Sequence, residues 1–187
     1  MFTKPTLNLI NIMVLLLASS QSWCKELLLN GEEIAVEDGD TLLITIEGAE
    51  ERIQLIDIDA PEDVENAKFK LDLRRTGLDH DTLYSLGAIA SNHMAKLLSG
   101  EGGYRLSYEP ERRDRYGRLL GDLTNEAGVS LGRQMITDGY AIAKPSQISK
   151  RPHPYETLQL QAVEKKMGLW GLLPEQTRLW SGAAAAQ

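Results

Sequence analysis

Between Leu42 and Ile58 the chain carries a pattern that a β-hairpin satisfies and a helix does not. Leu42, Ile44 and Ile46 alternate with Leu43, Thr45 and Glu47, a period of two that lays one apolar row along a single strand face. Glu47-Gly48-Ala49-Glu50 reads as the turn into a second strand, Arg52 to Ile58. The β-branched and apolar density of that strand predicts burial on both faces. Pro61 ends it, because proline cannot donate to a ladder.

Beyond this hairpin the period changes. Residues 62–81 are polar, highly charged and without a period, which predicts a loop longer than ordinary connections and therefore functional or mobile. Leu83, Leu86, Ile89, Ala90, His93, Met94 and Leu97 then fall at helical spacing, and Gly100 stops the helix. Tyr104 to Glu109 and Leu119 to Thr124 read as a strand pair joined by the charged segment 110–117. Leu131, Met135 and Ile136 predict a second helix ending at Gly139. A third runs from Pro154 to Met167 with Tyr155, Leu158, Ala162 and Val163 inward. Residues 173–187 read as a flexible tail, small-residue-rich from Ser181. Several short strands with a helix inserted late, then helices closing one end, fit a small Greek-key barrel of the OB type. Periodicity leaves that as one option among several α+β folds.

The chain of 187 residues is 42% hydrophobic, enough for one core, so residues 25–172 are expected to form a single domain. The N-terminus stands apart. Lys4 precedes the apolar run Leu9 to Ala18, followed by small residues to Ser22. That is a charged start, a short apolar stretch and a cleavage site with Ser20 and Ser22 at −3 and −1. Residues 1–22 are therefore expected to be a signal peptide cleaved near 22–24, which sends the protein to the periplasm or outside the cell. The run is short of the about 20 apolar residues of a spanning helix, so no stable membrane association is expected after cleavage. Cys24 is the sole cysteine, which excludes an internal disulfide. Gln21-Ser22-Trp23 lacks the Leu and small residues that precede a lipid-modified cysteine. A monomer is expected.

The net charge is −7, and loss of Lys4 with the leader makes it more acidic still. Nucleic-acid binders usually carry a basic footprint, so strong nonspecific DNA affinity is disfavoured, whereas a local basic site is not.

Three short motifs carry chemistry. Asp38-Gly39-Asp40-Thr41 stands at a strand start; alone it is an ordinary turn, since Asp-Gly is a common hairpin signal. Asp59-Ala60-Pro61-Glu62 closes a strand, where solvated acids are also ordinary. Two carboxylates at neighbouring strand ends, however, can converge on one cation, with a third just beyond to hold water. Hard oxygen ligands of this kind suit Ca²⁺, which lowers the pKa of nearby water. Arg112-Arg113-Asp114-Arg115-Tyr116-Gly117-Arg118 puts four arginines and an aromatic in seven residues. Its plain reading is a solvated charged hairpin. Its functional one is a guanidinium gripping a phosphate bidentately while Tyr116 packs on sugar or base. His80, His93 and His153 show no ligand spacing, and no Gly-rich phosphate loop, Ser/His/Asp set or zinc pattern is present.

As an ordered set, the Val36–Thr41 start, Leu55-Ile56-Asp57-Ile58-Asp59-Ala60-Pro61-Glu62, the Asp-Arg-Tyr-Gly-Arg loop, Gly139-Tyr140-Ala141 and Gly168-Leu169-Trp170 resemble the staphylococcal nuclease-like (thermonuclease) family from Glu26 to Trp170. The resemblance implies a five-stranded Greek-key OB barrel with three helices and a calcium-dependent hydrolysis of DNA and RNA. By motif position, Asp40 and Asp59 match the calcium-ligand aspartates. Ala60 would lend its backbone carbonyl, and Thr41 a contact to the metal through water. Glu62 matches the glutamate that orients or deprotonates the attacking water. Arg118 matches a phosphate-binding arginine, and Tyr116, with Arg115 beside it, the substrate-packing tyrosine.

Three departures bear on activity. The family's other phosphate arginine lies five residues before the second metal aspartate, and that position here is Gln54, which brings no charge. Losing one preorganised donor typically costs about 10²–10³ in rate. Arg52, two residues earlier on the same strand face, or Arg74 and Arg75 from the long segment, are candidates to replace it at the phosphate. Pro145 replaces an aromatic of the nucleotide pocket, and the long segment after Glu62 is itself unusual. The reading is thus an exported Ca²⁺-dependent nuclease, attenuated at Gln54, with Mg²⁺ or Mn²⁺ left open by ligand type. The alternatives are a catalytically inactive nucleic-acid- or protein-binding module on the same scaffold, and a cell-envelope interaction protein.

Overall fold

A six-stranded sheet, curled on itself, carries the core in the computed structural model, which describes residues 24–100, 102–144 and 155–182. Its first strand, β1 (Lys25–Asn30), runs through a 3-10 turn (Gly31–Glu33) into β2 (Ile34–Val36). The hairpin follows as β3 (Thr41–Ile46) and β4 (Ala49–Leu55). Its loop is tighter than the sequence suggests: Ile46 pairs with Ala49, so only Glu47 and Gly48 turn, both at positive φ (52° and 86°). That is the two-residue turn whose twist matches the flanking strands. Asp57, at φ 67°, then breaks the second run, leaving the short β5 (Ile58–Asp59).

The remaining elements are α1 (Ala67–Thr76), α2 (His80–Leu98), β6 (Gly103–Arg113), β7 (Leu119–Asn125), α3 (Leu131–Thr137), β8 (Ile142–Ala143), α4 (Glu156–Glu164), α5 (Leu169–Leu172) and α6 (Pro174–Ser181). The large sheet has the order β1-β6-β7-β4-β3-β2, and β5 pairs with β8. All its pairings are antiparallel except β4 with β7. Its two outer strands, β1 and β2, are neighbours in sequence, which requires the sheet to curl. This is an OB-like α+β architecture.

Leu42, Ile44, Ile53, Leu55, Leu106 and Leu123 line the interior, and α2 closes one end with Ala90, Met94 and Leu98. Each of the Leu, Ile and Met side chains among them contributes roughly 1.5–3 kcal/mol through burial. A second cluster, Phe69, Leu83, Leu86, Leu169 and Trp180, joins α1, α2, α5 and α6.

Two further expectations change. The segment expected as a periodless loop contains α1, capped by the Asn66 side chain, which accepts from the Phe69 amide, and ended by Gly77 at φ 70°. Phe69 anchors it in the second cluster. The segment from residue 173, expected as a flexible tail, forms α6 in its described part, with Trp180 only 2% exposed. Both helices are held by few apolar residues, which is why no long period marks them. The leader, Pro145 and His153 lie outside the described residues. Among the described residues no helix is long and apolar enough to cross a membrane.

Candidate active site

The Asp38–Thr41 motif is a backbone turn that brings a carboxylate inward. The amides of Glu37 and Asp38 both donate to the Thr41 carbonyl, and the Asp40 amide donates to Asp38 Oδ1 at 2.9 Å. Gly39 makes a close approach possible: a Cβ there would lie 2.7 Å from the Ala60 Cβ and 3.0 Å from the Ala90 Cβ. The turn therefore sits directly against the end of β5. Asp40 Oδ2 accepts from the Ala60 amide at 2.9 Å, and Asp40 Oδ1 accepts from the Thr41 hydroxyl at 3.1 Å. Asp40, Asp59, Ala60 and Glu62, far apart in two motifs, are thereby brought to one place.

The third motif arrives from β6 and β7. Asp114 organises it: Oδ1 accepts the amides of Tyr116 and Arg118, and Oδ2 accepts Arg118 Nε at 2.8 Å. Gly117 supplies the positive φ of 81° that the turn requires. Burial alone would raise the Asp114 carboxyl, but these hydrogen bonds and the Arg118 charge together hold it below the ordinary aspartate value. Arg118, so aimed, donates through Nη1 to Thr41 Oγ1 at 2.8 Å. The Tyr116 ring lies under two guanidinium groups, 4.8 Å from Arg115 and 5.4 Å from Arg118. Tyr116 itself remains exposed.

Between the acidic and basic sides lies a cleft of about 490 Å³. Asp40, Gln54, Asp59, Glu62, Arg115, Tyr116 and Arg118 all line it. Arg112 and Lys144 line it too, so an acidic chain presents a local basic wall here.

Lys68, not singled out in the sequence, occupies the point where the oxygens converge. Its ammonium lies 2.9 Å from the Ala60 carbonyl, 3.0 Å from Glu62 Oε1, 3.4 Å from Asp59 Oδ1 and 3.8 Å from Asp72 Oδ2. Burial would lower the amine, but the carboxylates of Asp59, Glu62, Asp40 and Asp72 outweigh it and hold the lysine above its usual value. Asp59 is pushed up to about 6, mainly by burial, with Lys68 opposing. Asp38 is raised further, by burial and then by the charges of Asp40 and Glu62. Glu62 is 3% exposed, its second oxygen accepting from Asn66 Nδ2. Gly87 of α2 seats this segment: a Cβ there would come within 2.2 Å of the Glu62 carbonyl oxygen.

Among the described residues, no group of three or more His, Cys, Asp and Glu side chains stands ready to hold a metal. The donor chemistry nevertheless fits a hard cation. Two carboxylates and a backbone carbonyl surround a positive charge, and the charge present is the lysine's own.

The candidate replacements for the arginine expected at position 54 are placed elsewhere. Gln54 faces the cleft, but its amide nitrogen donates to the backbone carbonyls of Asp40 and Leu55 at 3.3 and 3.2 Å. Arg52 is forked onto Glu37, with Nε 2.6 Å from Oε2, and does not line the cleft. Arg75 donates to Asp72 and to the Trp180 carbonyl, and Arg74 is exposed outside the cleft. Arg112, Arg113 and Lys144 are the additional cations that line it, and Arg113 is forked onto Glu51 at 2.8 Å. His93 stacks on Tyr140 at 3.9 Å and bonds Asp138, a packing role. The signal that would have found Lys68 is local: an Asn N-cap at 66 followed by Lys68 and Asp72 at helical spacing.

Residues 52–171 match the family model described as staphylococcal nuclease homologue. Over 143 residues the chain is 30% identical to a thermonuclease of Staphylococcus intermedius, covering 72% of each. It is also 30% identical over 143 residues to the succinoglycan biosynthesis protein ExoI of Rhizobium meliloti (strain 1021), covering 76% of this chain and 65% of that one. An uncharacterized endonuclease of Escherichia coli is 27% identical over 142 residues, covering 76% and 77%. Asp40 and Thr41 precede the matched segment, and their hydrogen bonds to Ala60 and Arg118 tie them to it.

Proposed function

This chain belongs to the staphylococcal nuclease homologue family, and on that premise we propose that it is an exported, monomeric, calcium-dependent nuclease that hydrolyses phosphodiester bonds of DNA and RNA. The observation that carries the reading is the continuous hydrogen-bonded line Arg118–Thr41–Asp40–Ala60, which ties a phosphate-binding cation to the carboxylate cluster across one cleft.

Asp40, Asp59 and the Ala60 carbonyl would hold the cation, with Thr41 touching it through water; Ca²⁺ suits these oxygens, and Mg²⁺ or Mn²⁺ are tested beside it. A bound divalent ion supplies charge neutralisation and a more acidic water. Glu62, on the same side, accepts the proton of the attacking water at a carboxylate oxygen. Arg118, with Nε fixed by Asp114, turns a second guanidinium nitrogen toward a non-bridging phosphate oxygen and stabilises the charge that develops there. Tyr116 and Arg115 pack on the flanking sugar or base, and Arg112 and Lys144 meet neighbouring phosphates. Gln54 contributes no charge, so the clamp has one firm arm and turnover is slower than with two.

A specific observation favours a second reading, a nucleic-acid-binding module without catalysis: Lys68 occupies the oxygen cluster while Gln54 is turned to the backbone. One experiment separates the two. Purified mature protein is incubated with single- and double-stranded DNA and with RNA, in Ca²⁺, Mg²⁺ or Mn²⁺ and in chelator, beside Asp40→Ala and Arg118→Ala. Metal-dependent cleavage lost in both variants supports the nuclease. Equal inertness of all three proteins, with DNA still bound, establishes the binding module.

A further inference from the structure

Three oxygens lie within 3.4 Å of the Lys68 ammonium, and an ammonium has three donors. Asp72, the third acidic neighbour, is on the same helix one turn later. Two of the three oxygens, from Asp59 and Ala60, are those assigned to the metal in the proposed function, and the third is that of the proposed base. A divalent ion and an ammonium cannot share that point, because like charges in a partly buried pocket repel. The helix carrying Lys68 is fixed independently, by Phe69 in the second cluster and by Arg75 donating to the Trp180 carbonyl at 2.7 Å. The side chain is 22% exposed and stands on a flexible four-carbon stem at the cleft wall. It can therefore swing outward while α1 stays in place.

We propose that Lys68 is a tethered counter-cation of the active site, and that a divalent ion binds only by displacing its ammonium from Asp59, Ala60 and Glu62. The lysine thereby sets the metal affinity and keeps the metal-free carboxylates paired, so Glu62 is released to act as base only when metal arrives. This rests on the metal-assisted reading above.

Calorimetric titration of chelator-stripped protein with Ca²⁺ tests it, on wild type, Lys68→Met and Lys68→Arg. Methionine keeps the stem and removes the charge, and is expected to tighten Ca²⁺ binding about tenfold or more. Arginine keeps the charge and is expected to stay within about threefold of wild type. A second measurement needs no variant: amine-reactive labelling of wild type, read at Lys68 by peptide mass spectrometry. Labelling of Lys68 rises several-fold at saturating Ca²⁺ while other lysines stay constant. Equal or weaker binding by Lys68→Met, equal tightening by Lys68→Arg, or unchanged Lys68 labelling overturns the tether and leaves the nuclease reading standing. Absence of Ca²⁺ binding in wild type and Lys68→Met alike overturns both.

Discussion

Arg118 Nη1 donates to Thr41 Oγ1 at 2.8 Å, joining residues 77 positions apart, and the same hydroxyl donates onward to Asp40. One threonine therefore aligns the cationic and acidic halves of the cleft. Thr41→Val keeps the shape and removes the hydroxyl. It leaves a buried Arg118 donor without its acceptor, at a cost of about 1–3 kcal/mol. The expected result is a cleavage rate lower by about 10², with urea unfolding shifted to lower concentration. A rate equal to wild type would show that Asp114 alone positions Arg118.

Gln54→Arg addresses the missing arm. Gln54 faces the cleft and pairs in register with Thr41, so an arginine there enters the phosphate side. Cleavage by this variant is expected to rise by about 10–10², the scale of one preorganised donor. An unchanged rate in a plasmid-nicking assay would mean that Arg112 or Lys144 already fills the role.

Lys68→Met should weaken the metal-free fold. Glu62 and Asp59 would lose their partner, and breaking a buried pair costs about 3 kcal/mol at the lower end, appropriate to a partly exposed lysine. Thermal melting in chelator is expected to fall, and Ca²⁺ is expected to restore it. A melt unchanged in chelator would contradict the pairing.

Asp38 gives a pH signature. Its carboxyl is pushed up to about 9 in the folded protein, by burial and by the charges of Asp40 and Glu62, against an ordinary 3.8. The folded state thus holds the proton more tightly than the unfolded one. The associated stability is fully present below about pH 4 and declines as pH rises toward 9. Asp38→Asn, which can still accept from the Asp40 amide, should match wild type near pH 4 and exceed it at pH 8 in urea unfolding with chelator present. Parallel curves for the two proteins would refute this.

Trp180→Ala tests whether α6 belongs to the fold. Trp180 is 2% exposed, and its carbonyl receives Arg75 from α1. Removing it should cost about 3–5 kcal/mol and loosen α1, read as faster amide exchange between residues 67 and 76. Wild-type stability would return residues 174–181 to the status of a dispensable tail.

What could be read from the sequence is what local pattern encodes. Leu42, Ile44 and Ile46 declare a strand face because alternation is a property of neighbours, and the three short motifs name the carboxylates, the arginine and the tyrosine by type and order. The same local reading reached α2 and α3, whose apolar stripes repeat every three to four residues. It missed α1 and α6, where Phe69 and Trp180 are held by partners distant in the chain rather than by a repeating stripe.

The chemistry on offer was thus determined by the sequence: hard oxygens, one firm guanidinium, and the uncharged Gln54 where the resemblance leads one to expect a second cation. How those groups pair was decided only by the tertiary structure. Arg52, two residues from Gln54, is drawn off by Glu37, whereas Lys68, in a segment without an apolar period, enters the carboxylate cluster. Charged side chains are assigned partners by Coulomb energy and burial, which depend on distances that exist only after the sheet has curled and α1 has docked.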